Sequence, residues 1–130
     1  MTKKVLVLSA SFRKHGNSDM LCDRFIQGAR EAGNEVEKIY VSDMRIGYCR
    51  GCGVCNRTHK CVQNDDMAAV LDKMVAADVI VMATPVYFYS MNGQLKTLID
   101  RTVPRYEEIR GKDFYYIVAA ADDNRDNMRR

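Results

Sequence analysis

Residues 4–18 read KVLVLSASFRKHGNS, and the change of character inside them decides the fold. Lys4–Ser9 is a short apolar, β-branched run, the pattern of a strand buried on both faces. A polar loop of serines, Arg13 and Gly16 follows. The chain then turns helical: Asn17 or Ser18 is placed to cap, and Asp19 falls in the first turn, where a negative charge is favoured. Leu21, Phe25 and Ala29 recur four residues apart, with Cys22 and Ile26 beside them, and Gly33 suits the helix end.

The same alternation continues outward. Residues 35–41 form a second strand with mixed faces, suited to a sheet edge. Residues 42–64 are irregular and carry a cysteine group. Asp65 and Asp66 open a helix in which Met67, Val70, Leu71, Met74 and Val75 fit the apolar stripe. Residues 78–83 (DVIVMA) form a central strand, and residues 84–93 (TPVYFYSMNG) are expected to be a loop opened by Pro85. Leu95, Leu98 and Ile99 mark a third helix that ends before Pro104. Residues 113–120 form a fourth strand, and the polar last ten residues suit the start of another helix. Strands alternating with helices require a parallel sheet with right-handed crossovers and helices on both faces. Ligands bind such sheets at the carboxyl ends of the strands. The loops at 9–18, 84–93 and 119–125 all lie there.

Composition limits what the chain can be. Its 130 residues fit one domain spanning 1–130, and 47% hydrophobic with 28% charged residues exclude disorder as the main state. The formal charge of +3 comes from 20 basic and 17 acidic residues, too small an excess to favour nucleic acid. No apolar run approaches the roughly 20 residues that span a bilayer. Lys3 and Lys4 precede too short an apolar run for a signal peptide. A cytoplasmic protein without nucleic-acid or membrane partners is the expectation.

The first loop can hold an anion, because successive N–H groups and a helix N-terminus face it. Ser9, Ser11, Asn17 and Ser18 offer side-chain donors, and Arg13 a charge-assisted one. The loop has neither a Walker pattern nor G-x-G-x-x-G. The same residues would also serve as a plain polar turn. His15 reads as an exposed turn residue. In the loop at 84–93, Tyr87, Phe88 and Tyr89 are consecutive aromatics that could stack on a planar heterocycle or pack against the sheet.

Cys49, Cys52, Cys55 and Cys61 are spaced C-x2-C-x2-C-x5-C. Overlapping C-x2-C units put three thiolates around a tight loop, as cubane-binding runs do, although the last spacer is longer here and no proline follows. Gly51 and Gly53 allow the turns, and Arg50, Arg57 and Lys60 favour thiolates. Structural zinc, disulfides and metal-free thiols are the competing readings. Cys22 and most methionines belong to the core, and His59 to the surface.

These segments together resemble the flavodoxin-like NAD(P)H-dependent FMN reductases, in the branch of the iron–sulfur flavoproteins and their cluster-free relatives. The resemblance rests on SASFRKHGNS, CRGCGVCNRTHKC and DDMAAVLDKMVAADVIVMATPVYFYSMNGQLKTLIDR. It implies a flavodoxin-like three-layer α/β sandwich with strand order 2-1-3-4. It implies FMN as cofactor, with Ser9, Ser11, Arg13, Asn17 and Ser18 on the phosphate. Pro85, Val86, Tyr87 and Phe88 would line the isoalloxazine, and Asn92 and Gly93 would fix that loop. Ala120, Ala121 and Asp122 would form the third flavin loop, and the four cysteines a [4Fe–4S] site. Phe12 stands where relatives commonly have proline. Relatives continue into a fifth strand, so the fourth strand here is expected to present an edge that a second subunit covers. The implied activity is electron transfer from NAD(P)H through FMN to a small-molecule or protein acceptor, with no catalytic acid or nucleophile. An electron carrier without NAD(P)H turnover and a flavin-free scaffold are the alternatives.

Overall fold

Val5, Leu6, Val7 and Leu8 are all buried in the computed structural model, which describes residues 2–120. They form the middle of β1 (Lys4–Ser9), flanked in parallel by β2 (Glu35–Tyr40) and β3 (Val79–Tyr87). The pleat sends alternate residues to opposite layers. Leu6 and Leu8 join Ile39, Met74, Ile80 and Leu98 on one face of the sheet. Val5 and Val7 join Cys22, Ile26, Val79 and Val81 on the other. Two cores on one strand require helices on both sides, and α1 (Asn17–Glu31) covers one face while α3 (Met67–Ala76) and α4 (Gly93–Asp100) cover the other.

β5 (Asp113–Ala119) pairs in parallel with β3, from Val79 opposite Asp113 to Pro85 opposite Ala119. The parallel order is therefore β2-β1-β3-β5, the flavodoxin-like order read from the sequence with β5 as its fourth strand. Among the described residues no strand flanks the far side of β5, where Tyr115 and Tyr116 are exposed.

Three expectations need correction. Residues 84–93 are not simply a loop: β3 runs on to Tyr87, because Thr84 and Pro85 stay in register with Val118 and Ala119 of β5. The chain then reverses through Phe88 and Tyr89 into β4 (Ser90–Met91), an antiparallel strand that makes the sheet five-stranded. Next, α1 is capped by Gly16 rather than by a side chain of Asn17 or Ser18. Its far end behaves as read: Gly33 takes φ +89, and the N–H groups of Gly33 and Asn34 return to Arg30 and Ala29. Finally, two four-residue helices escape the periodicity: α2 (Cys55–Thr58) and α5 (Tyr106–Ile109), each barely one turn.

Candidate functional site

A cleft of about 360 Å³ opens at the carboxyl ends of β1, β3 and β5. One wall is the first loop, with Ser11, Arg13, Gly16, Asn17 and Ser18. The other is Pro85, Val86 and Tyr87 with Ala119 and Ala120. Local bonding shapes the first wall. Ser11 Oγ accepts from Arg13 N–H at 3.1 Å and donates to Arg13 C=O at 3.2 Å. Gly16 N–H closes the turn on Arg13 C=O at 2.9 Å, and a Cβ at Gly16 would meet that oxygen at 3.0 Å. The first-turn N–H groups of α1 have no intrahelical acceptors and face this end of the sheet. Hydroxyls, an arginine and helix N–H groups form a donor set that suits a phosphate. The aliphatic and aromatic wall opposite suits a flat ring. FMN has both parts, so the residues present fit it.

Beneath the loop lies a group that sequence reading missed. Asp19 is fully buried, and its carboxylate accepts from Ser9 Oγ (3.1 Å), His15 N–H (2.8 Å) and Tyr40 O–H (3.2 Å). Lys38 Nζ lies 2.6 Å from it and 2.7 Å from Asp23. Burial alone would raise the Asp19 pKa, but the hydrogen bonds from Lys38 and from His15 N–H outweigh it and hold the carboxyl below its ordinary range. Burial would likewise lower Lys38, yet Asp19 and Asp23 raise it further. The lysine thereby offsets a negative charge that would otherwise sit directly under an incoming anion. No sequence periodicity links Asp19 to Lys38; they meet because β2 lies beside β1.

The remaining expected flavin residues divide. Ser9 lies under the loop and outside the cleft wall, its hydroxyl committed to Asp19. Phe88, at the tip of the β3–β4 turn, is 94% exposed and stands clear of the cleft. Asn92 is wholly buried and acts as a tie: Nδ2 donates to Ala10 C=O, Oδ1 accepts from Leu95 N–H, and its own N–H donates to Thr84 Oγ1. It caps α4, whose first residue is Gly93, and clamps the first loop to the second. Ala121 and Asp122 lie outside the described residues. His15, read from the sequence as an exposed turn residue, has φ +67 and lines the cleft.

The cysteines line a second candidate site. Cys49, Cys52, Cys55 and Cys61 surround a cavity of about 190 Å³, floored by Arg101 and Pro104. Gly51 (φ +67) and Gly53 (φ +76) make the turns between them. Cys49 Sγ accepts from Gly51 N–H and Cys61 Sγ from Gln63 N–H, both at 3.4 Å. All four are free thiols. Among the described residues, no three of these sulfurs lie within 4.8 Å of one another. A single zinc ion, with bonds of about 2.3 Å, draws four sulfurs to within about 4 Å of each other. A cluster places irons and sulfides between its thiolates and so takes sulfurs farther apart than zinc does. Cys22 is different: burial pushes its thiol up to about 11, and it remains an inert core residue.

The loop is held by an ion pair. Arg101 Nη1 and Nη2 donate to the two Asp65 oxygens at 2.8 and 3.0 Å, and Nη1 also reaches Gly47 C=O at 2.8 Å. Arg101 holds the Asp65 carboxyl down at about 2, helped by the N–H groups of Gly47 and Met67. Arg101 C-caps the helix that Asn92 N-caps. One eight-residue helix, about 12 Å long, therefore separates the tie of the cleft from the anchor of the cysteine loop.

The profile of the NADPH-dependent FMN reductases matches residues 3–127. The chain belongs to this family. Within it, iron–sulfur flavoproteins stand near: one from Archaeoglobus fulgidus is 38% identical over 101 residues, covering 78% of this chain and 46% of its own. Another, from Methanocaldococcus jannaschii, is 39% identical over 101 residues, covering 78% and 52%. The match thus spans about half the length of these relatives. Among solved structures, the NAD(P)H:quinone oxidoreductase of Methanothermobacter marburgensis superposes with a TM-score of 0.76 at 18% identity, covering 97% of this chain and 71% of that one. That likeness is one of fold. No helix among the described residues is long and apolar enough to cross a membrane.

Proposed function

We propose that this chain binds FMN in the cleft between the first loop and the β3–β5 wall. From there it would pass electrons from NAD(P)H to a small-molecule or protein acceptor. The observation that carries the reading is the cleft itself. It joins Ser11, Arg13, Asn17 and Ser18 on one side to Pro85, Val86, Tyr87 and Ala120 on the other, a polar wall facing an apolar one. FMN supplies the hydride chemistry, so the protein needs no acid or nucleophile of its own. Arg13 and the serines fix the phosphate end. Residues 85–87 present backbone and side chain to the ring, and Asn92 keeps both walls at one separation.

The four cysteines would hold an iron–sulfur cluster, which supplies one-electron transfer. Exposed Cys49 and Cys52 leave that site open toward a partner, and this favours a second reading, an electron carrier that exchanges with a protein. Failure of NAD(P)H to bleach the bound flavin anaerobically would select the carrier.

The test is FMN titration of anaerobically purified protein, followed by flavin absorbance and fluorescence. Arg13→Ala should weaken FMN binding by about 10–100-fold, the loss of one charge-assisted contact, and leave riboflavin binding unchanged. Equal losses for both ligands would move the phosphate away from Arg13. No perturbation of FMN by the wild-type protein would end the proposal.

A further inference from the structure

Arg101 is the bulkiest fully buried side chain among the described residues, at 2% exposure. A guanidinium carries five N–H donors and stays charged at every accessible pH, so burying one requires a partner for each nitrogen. Nη1 and Nη2 are accounted for by Asp65 and Gly47. Nε is not: among the described residues it is the one buried side-chain nitrogen or oxygen without a hydrogen-bond partner. A buried unpaired donor is costly, the more so when charged, so natural proteins rarely leave one.

The place of the orphan matters. Arg101 lines the same cavity as Cys49, Cys52, Cys55 and Cys61. Asp65 cannot serve Nε, because both its oxygens are already taken by the two Nη groups and by the N–H groups of Gly47 and Met67. The fork on Asp65 fixes the guanidinium plane, and the cavity that Arg101 lines brings four cysteine sulfurs to its side.

We propose that Arg101 is the fixed cationic donor of the cysteine site, its Nε–H bonding sulfur in the filled cavity, either the Cys61 thiolate or an inorganic sulfide. This rests on the reading that the four cysteines hold an iron–sulfur cluster. Hydrogen bonds to sulfur and nearby charge set cluster potentials. A cation held at low dielectric favours the reduced cluster, which carries one more negative charge. Lysine could not replace it, since an ammonium cannot grip both Asp65 oxygens in a fixed plane and also present a directed third donor.

The experiment is anaerobic reconstitution with ferrous iron and sulfide, followed by redox titration of wild type, Arg101→Lys and the double variant D65N/R101M. The double variant removes the whole ion pair, leaves no unpaired buried charge and keeps the net charge of the chain. Both variants should shift the cluster to more negative potential, the double variant further, and both should lose iron to a chelator faster. Their FMN affinity, a readout of the fold distant from Arg101, should match wild type. In wild type labelled with guanidino-15N arginine, the reduced cluster should show a 15N hyperfine coupling that vanishes in Arg101→Lys. Unchanged potentials, or no coupling in a wild type that holds its cluster, would reduce Arg101 to a structural residue and overturn the inference alone. A wild type that takes up no iron would overturn the cluster reading and this inference with it.

Discussion

Asn92 makes three hydrogen bonds at zero exposure, and each ends on a different piece of the site. Removing its side chain leaves Ala10 C=O and Leu95 N–H without partners in a buried setting. Asn92→Ala should therefore cost about 2–4 kcal/mol in urea unfolding, and FMN binding should weaken although the side chain does not line the cleft. Full FMN affinity in a destabilised Asn92→Ala would separate the tie from the site. The family resemblance implied that Asn92 fixes the loop, and the structure shows the means, a cap on α4. The sequence carried no warning about Ser9. A serine at a strand end can point into the loop or under it, and the pleat of β1, with Asp19 waiting below, sends it under. Asp19 itself was read only as a favourable first-turn charge. Its partner Lys38 comes from another element, and no local pattern announces a pairing across 19 positions.

At the scale of elements, the β3–β4 hairpin stands out. Its two central residues, Phe88 and Tyr89, have φ of +49 and +66, the left-handed pair of a type I′ turn. That turn ordinarily takes Asn-Gly, and a bulky side chain there costs about 1 kcal/mol or more at each position. The double change Phe88→Asn, Tyr89→Gly should stabilise the protein by about 1–2 kcal/mol, seen as a higher urea midpoint. It should leave FMN binding unchanged, since neither ring lines the cleft. Weaker FMN binding in the stabilised variant would show that one of these rings reaches the flavin. The sequence showed three aromatics after Pro85 and suggested a loop. It could not show the hairpin, because the usual turn residues are missing and β5 alone keeps Thr84 and Pro85 in a ladder.

Across the whole molecule, the Asp65–Arg101 pair joins the residues before α3, the end of α4 and Gly47 ahead of the cysteine loop. Because Asp65 titrates at about 2 in the fold against an ordinary 3.8, its contribution is fully present above pH 4 and is lost as pH falls through 2. That contribution is about 2 kcal/mol. Asp65→Asn should be less stable than wild type at neutral pH, and the gap should narrow by that amount between pH 5 and pH 2 in denaturant unfolding. A gap that is constant with pH would show that the pair adds nothing through ionisation. The strand order came with the family resemblance, but the alternation of β-branched strands with amphipathic helices was enough to determine a parallel sheet and the end of it where ligands bind. Each of those follows from periodicity and from the handedness of crossovers, both written locally in the chain. The phosphate-type loop and the cysteine spacing were equally local. The tertiary structure alone decided which polar residues turn inward, where Lys38 neutralises Asp19, and that Arg101 meets Asp65 beneath the cysteines. Those pairings cross between elements far apart in sequence, and a buried charge finds its partner only when the packed layers leave it one place to go.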